Sequence, residues 1–486
     1  MERYTRRKFL GQLTFGVVAS ASGFAPLLAR SVPSKRVIVI GAGLAGLCAA
    51  YELTLLGHDV TILEAQTRPG GRVQTLRNPF DNGLYAEAGA SRIPTSHDVT
   101  LGYVRKFGLK LIPFEPAGVP SIRCAYGQRS KVLPGAPFEW PAGIPADQKR
   151  LSPAEVRSRY IAPLANRITD PFADAWVPES LRQYDHVTRD DYLGAQGVSK
   201  AALYLMNLGY SPVARLRSFL DVLHENAVNR ELRRRAGVQS DHFLKIEGGN
   251  DLLPRAFAQR LGERIRYGYA VQKILQDAQG TRVFFRAGGN VESASADYAV
   301  CAIPFSTLQS VAFSPALTPR KRSAIDSLPY ESVTRIYLQS SVRYWMRDGL
   351  SGFAETDHPM EIWDGTFGQP GTRGILVSYN RGPKAQELGR QPEAAQLEFG
   401  LEAIEQAYPG IRKNYERGFV KVWDLDPWAR GAIAYLLPGQ VLSLQPHIAA
   451  PEGRIHFAGE HASSLRGWMQ GALESGRRAA GEIDAA

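Results

Sequence analysis

The chain has 486 residues, 44% of them hydrophobic, which is ordinary for a globular protein and long enough for two or three domains with cores of their own. The formal charge of +11 is dispersed, with +3 of it contributed before residue 30 by Arg3, Arg6, Arg7 and Lys8 against Glu2, so no nucleic-acid surface is expected. Three scattered cysteines, Cys48, Cys124 and Cys301, are too few for a disulfide framework or a zinc site; Cys48 and Cys301 read as core residues, and no metal is expected.

The N-terminus carries Thr5-Arg6-Arg7-Lys8-Phe9-Leu10, a twin-arginine pattern, followed by a mildly apolar segment to about Ala29. Gly11, Gln12, Thr14, Gly16, Ser20, Ser22 and Gly23 dilute that segment below the roughly 20 apolar residues of a membrane anchor, so stable insertion is not expected. Residues 1–30 therefore read as an export signal. The twin-arginine machinery is the expected partner, and the mature protein is expected in the periplasm or outside the cell.

From Arg36 to Glu64 the sequence predicts a strand, a glycine turn, a helix to about Leu56 and a second strand. Val37 to Ile40 and Val60 to Leu63 are continuous apolar runs, as in parallel strands buried on both faces. Gly41 suits the tight turn, Gly43 the approach of backbone to a pyrophosphate, and Gly46 the close packing of the helix whose N-terminus faces the phosphates. Glu64 ends the second strand where a carboxylate meets an adenosine ribose. These residues leave FAD and NAD both open. Next comes Ala65-Gln66-Thr67-Arg68-Pro69-Gly70-Gly71-Arg72, in which Arg68 and Arg72 bracket a glycine pair and offer guanidinium groups to an extended phosphate.

Further along stands Glu87-Ala88-Gly89-Ala90-Ser91-Arg92-Ile93-Pro94. From about 136 to 244, Leu203, Met206, Leu208, Leu216, Leu220 and Leu223 recur at roughly helical spacing, which predicts a helical insert. Lys245-Ile246-Glu247-Gly248-Gly249-Asn250 opens a turn before a helix and a strand around Val271, and Val300-Cys301-Ala302-Ile303-Pro304 reads as another strand. Alternating apolar stretches at 335–338 and 374–379 predict a strand-rich region over 326–440. The C-terminus carries Ile455-His456-Phe457-Ala458-Gly459-Glu460-His461 and then Gly467-Trp468-Met469-Gln470-Gly471.

The run from Arg36 through Arg72, the turn at 245–254, the strand at 300–304 and the segment 455–476 together resemble the flavin-containing amine oxidase superfamily over most of the mature chain. That resemblance implies an α/β fold, with a discontinuous Rossmann-type FAD-binding domain over 35–90, 245–325 and 445–486. It also implies a strand-rich substrate domain over 91–135 and 326–444, and a helical domain over 136–244. FAD would be held by Gly41, Gly43, Leu44, Ala45, Gly46, Glu64, Ala65, Gly71, Arg72, Ala90, Ser91, Arg92, Val271, Trp423, Gly459, Glu460, Gly467, Trp468 and Met469. Glu460 would stand near the phosphate and ribityl region, and the helix from Met469 would face the flavin's electron-rich side. Gly431 stands where covalently flavinylated relatives carry cysteine, so the FAD is expected to be non-covalent.

The segment around Arg92 resembles that of L-amino-acid oxidases, in which the arginine grips the substrate carboxylate; two parallel charge-assisted bonds would fix the orientation of Cα–H. Tyr379 matches the tyrosine sharing that carboxylate, Gly467 offers a carbonyl to the amine, and Trp468 forms an aromatic wall. Ala432, followed by Ile433, replaces a second cage aromatic, leaving room for large or aromatic side chains. Trp423 would line the flavin, while Trp428 reads as core. Arg335 stands where the family has a lysine that holds water at the flavin, and unlike lysine it cannot deprotonate. His224 is a candidate base. The implied reaction is oxidative deamination of an L-amino acid with molecular oxygen, giving a 2-oxo acid, ammonia and hydrogen peroxide, by a homodimer as in relatives. An amine or polyamine oxidase and a dehydrogenase feeding a respiratory acceptor remain alternatives.

Overall fold

In the computed structural model, residues 33–357 and 359–486 are described, and the export-signal reading of residues 1–30 lies outside them. Strand β1 (Arg36–Ile40) is buried at four of its five residues, helix α1 (Leu44–Leu55) follows, and β2 (Asp59–Glu64) returns alongside β1 in parallel. Burial on both faces is why these strands are continuously apolar. The chain comes back to this layer as β3 (Ile265–Tyr267) and β4 (Tyr298–Cys301). It then leaves for a second sheet containing β5 (Val333–Ser340), β6 (Glu361–Asp364), β7 (Gly374–Arg381) and β8 (Tyr415–Val422). Last, it supplies β9 (Ile455–Phe457) and helix α2 (Met469–Ala485).

The first sheet runs β3-β2-β1-β4-β9, all parallel. The strand order reverses direction around β1, which leaves a crevice at the carboxyl ends of the strands, where ligands of open α/β sheets bind. Helices α1 and α2 pack on one face so tightly that a Cβ on Gly476 would run into the carbonyl of Ala45. The chain is an α/β protein.

The second sheet has seven strands, with β8-β5-β7-β6 leading into Ala354–Glu355, Ser121–Ala125 and Gln128–Val132. Its register sets one row across three strands: Arg335 on β5 is opposite Tyr379 on β7, and Tyr379 is opposite Glu361 on β6. Cross-strand partners share a face, so these three side chains emerge together.

The region 136–244 is helical, in several pieces. The expected spacing is split between Lys200–Asn207 and Phe219–Ala236, with a short 3-10 turn between them and Leu216 exposed. Among the described residues no helix is long and apolar enough to cross a membrane, and no group of three or more His, Cys, Asp or Glu is placed to hold a metal ion. Cys48 and Cys301 are buried in the core.

Candidate active site

A cavity of about 970 Å³ runs from the carboxyl end of β1 to the face of the second sheet. That is near the upper end of the roughly 300–1,000 Å³ of small-molecule and cofactor sites. Its first part is the glycine turn. Gly41 has φ +98°, a left-handed conformation that favours glycine, and a Cβ there would sit 2.8 Å from Ile303 Cγ2. Gly43, Leu44 and Ala45 line the cavity, with open space in front of Gly43. Gly46 does not reach it; its missing Cβ lets α1 pass against the carbonyl of Gly41.

Glu64 also lines the cavity. One of its oxygens accepts the Ala42 N–H at 2.6 Å and the other the Gln66 N–H at 2.8 Å, while burial pushes its carboxyl above the usual carboxylate range. Ala65, Gly71 and Val271 stand nearby on the same wall. The two bracketing arginines part company. Arg72 faces the cavity, whereas Arg68 turns back to donate to the carbonyls of Pro69 and Gly71 and to Gln74, so it offers nothing to a phosphate.

Deeper in, Gly459, Glu460, Gly467, Trp468 and Met469 form one wall with Ala90, Ser91 and Trp423. Glu460 is less free than the sequence suggests. One oxygen accepts Arg72 Nη1 at 2.8 Å and the other the Gly467 N–H at 2.7 Å, so it braces the wall as well as lining it. Trp423 is buried and donates its indole N–H to Ala88 O at 2.8 Å. Trp428, read from sequence as core, is 42% exposed and lies on the cavity lining.

The other end of the cavity is faced by the second sheet. Arg92 closes on Glu361 with both terminal nitrogens, at 3.1 and 2.8 Å. Four rings surround its guanidinium, with centroids at 4.8 Å for Phe114, 5.1 Å for Trp363, 5.6 Å for Phe243 and 5.8 Å for Phe353. Burial opposes the charge on Arg92, but the Glu361 carboxylate outweighs it and holds the guanidinium pKa above its ordinary value. Tyr379 packs edge-on to Trp363 and lines the cavity. Ala432 and Ile433 line the same end.

Arg335 lies with its guanidinium 4.5 Å from the Tyr379 ring centroid, and its Nη1 donates to the carbonyls of Glu87, at 2.9 Å, and Gly89. It therefore holds the strand that leads to Arg92 and still lines the cavity.

His224 is not at the site. It is wholly buried, stacked at 3.7 Å on Trp176, with Nε2 bonded to Pro171 O at 2.8 Å. Burial brings its pKa down to about 4, so it is neutral and packed away, and its neighbour Glu225 is the one that lines the cavity. Sequence reasoning missed His97, which lies on the lining edge-on to Trp468 at 5.1 Å and is kept neutral by burial at about 4. It also missed Arg381, paired with Glu331, and Glu115 beside Arg92. The sequence offers Glu361 only as one acid among Glu225, Glu361 and Asp364 that would favour a basic substrate if they face the funnel, and it does not pair Glu361 with Arg92.

The sequence from residue 44 to 484 matches the profile of flavin containing amine oxidoreductases. The chain belongs to that family. A Bacillus subtilis (strain 168) protein named "Putative L-amino-acid oxidase YobN" is 35% identical over 94% of this chain and 96% of its own. The L-amino-acid oxidase of Demansia vestigiata is 31% identical over 93% of this chain and 87% of its own. Among solved structures, a triple mutant of putrescine oxidase superposes with a TM-score of 0.80 at 21% identity, over 93% of this chain and 99% of the other. Cyclohexylamine oxidase from Brevibacterium oxydans IH-35A gives 0.79 at 20%, over the same shares. The last two speak to the fold.

This flavin amine oxidoreductase thus has the cradle its family implies for FAD. The open space before Gly43, the buried Glu64, and Arg72 with Gly467 on the farther wall fit an extended dinucleotide.

Proposed function

We propose that this protein oxidatively deaminates L-amino acids with large side chains, converting amino acid, water and oxygen into 2-oxo acid, ammonia and hydrogen peroxide. The observation that carries this reading is the bidentate grip of Arg92 on a carboxylate inside an aromatic enclosure, at the end of a cavity that begins at the glycine turn. A planar fork held this way is built for a carboxylate, and the resident Glu361 stands in for one. One of the relatives is named an L-amino-acid oxidase and the other a putative one, which supports the same substrate class.

In this reading Arg92 and the hydroxyl of Tyr379 hold the substrate carboxylate. Gly467 O, which accepts no hydrogen bond among the described residues, receives the amine N–H. Trp468 walls one side, and Ala432 leaves the other open. His97 and Trp468 keep water from one flank, and Arg335 supplies a permanent positive charge next to Tyr379. FAD, when bound, supplies the two-electron acceptor. Its binding is non-covalent in this proposal: Gly431 has φ +125° and a Cβ there would lie 2.7 Å from Tyr330 Cβ, so a cysteine is not accommodated.

The same ion pair favours a second reading, an amine oxidase whose substrate has no carboxylate, because Arg92 is already neutralised. A screen of L-amino acids and their decarboxylated amines, following oxygen uptake and peroxide, separates the two. Turnover of amines alone would refute the amino-acid reading, and turnover without peroxide would refute oxygen as acceptor.

A further inference from the structure

Arg92 faces two carboxylates. Glu361 occupies its fork, and Glu115, which directly follows the Phe114 ring of the enclosure, lines the same cavity close enough to feel both charges. A substrate carboxylate that takes the fork brings a third negative charge and leaves Glu361 without its partner. Its side chain is only 9% exposed, and a buried carboxylate stripped of its counter-ion is strongly disfavoured.

Neither arginine next to this end of the cavity is hydrogen-bonded to Glu361. Arg335 is committed through Nη1 to the carbonyls of Glu87 and Gly89, and Arg381 is closed on Glu331. A cationic group on the substrate would give Glu361 the direct hydrogen-bonded partner that neither of these arginines provides. Phe353 and Met360 line the cavity beside the pair and give an aliphatic stem an apolar path to it.

We propose that Glu361, supported by Glu115, is the side-chain specificity site: displaced from Arg92 by the substrate's own carboxylate, it pairs with a cationic side chain, so that basic L-amino acids are the preferred class. The proposal rests on the amino-acid reading above. Ala432 sets the room, and Glu361 sets the charge. Aromatic side chains fit the room and fail the charge balance.

The test uses the holoenzyme and three substrates of one stem length: L-lysine, L-norleucine, which lacks the side-chain ammonium, and cadaverine, which lacks the carboxylate. The wild type is expected to favour lysine over norleucine by about tenfold or more in kcat/KM, the worth of one charge-assisted pair. Glu361→Gln is expected to lower the lysine-to-norleucine ratio by a similar factor; a ratio of substrates within one variant is independent of how much folded enzyme is present. If that variant does not load flavin, Glu115→Gln, on the more exposed partner, is expected to lower the ratio in the same direction. A wild-type ratio near one, or a ratio unmoved by the substitution, overturns the proposal while leaving the amino-acid reading intact. Oxidation of cadaverine without lysine overturns the amino-acid reading, and the proposal with it.

Discussion

Arg335 and Tyr379 face each other across β5 and β7, and the guanidinium lies 4.5 Å from the centre of the ring. The same guanidinium is the hydrogen-bond donor to Gly89 O, three residues before Arg92. One side chain thus ties the cavity-lining Tyr379 to the segment that carries the cavity-lining Arg92. Arg335→Met removes the donor and leaves the buried Gly89 carbonyl unsatisfied. The expected cost is about 1–3 kcal/mol in urea unfolding, together with a fall in kcat/KM for the best amino acid. Arg335→Lys is expected to recover part of the stability.

In the proposed function, Arg92→Ala removes the grip on the substrate carboxylate. Loss of a charge-assisted pair predicts a fall of roughly ten- to a hundredfold in kcat/KM for L-amino acids, equivalent to about 1.5–3 kcal/mol. Steady-state assays on purified holoenzyme check it, and a change within about twofold would show that the arginine does not hold the substrate. The double variant Arg92→Ala with Glu361→Gln is expected to be more stable than Arg92→Ala alone, because it no longer strands a carboxylate.

His224 gives a pH signature. Its folded pKa of about 4 lies below the ordinary 6.5, so the unfolded chain takes up this proton first as pH falls. Stability from keeping the ring neutral is whole above pH 6.5 and drains away towards pH 4, by roughly 3 kcal/mol at most. Glu87, held near 7 by burial, works in the opposite direction over part of that range, so the wild-type curve alone does not isolate the histidine. The difference in unfolding free energy between wild type and His224→Gln does, and it is expected to narrow as pH is lowered from 7 to 4.

Gly431→Ala is expected to destabilise the protein by about 1–3 kcal/mol or more, since its backbone is left-handed and the new Cβ meets Tyr330. Calorimetry or urea unfolding measures this. Acid precipitation of the wild type is expected to release its flavin into the supernatant; yellow colour retained in the pellet would contradict non-covalent binding.

The α/β architecture was legible because β1, α1 and β2 are consecutive and each carries its own signal, the apolar runs and the glycine turn. Arg92, Tyr379 and Trp468 were reachable through short motifs whose residues lie beside one another in sequence. The pairing of Arg92 with Glu361 was not, because the two are 269 residues apart and only the tertiary fold brings them together. For His224 the signal was present and misread: it stands four residues after Leu220 and three before Ala227, both fully buried, so helix geometry puts it on the inward face. Arg68 and Arg72 have the same local setting, and nothing in that setting tells which one turns back on its own loop.

Strand β9 and helix α2 come last in sequence yet complete the dinucleotide layer that the first strands began, β9 beside β4 and α2 against α1. A nascent chain therefore carries the first half of the cradle for almost its whole synthesis with no second half to close it. Closure of the cradle must wait until residues 455–472 have been made, so a chain truncated before β9 is expected to lack the farther wall.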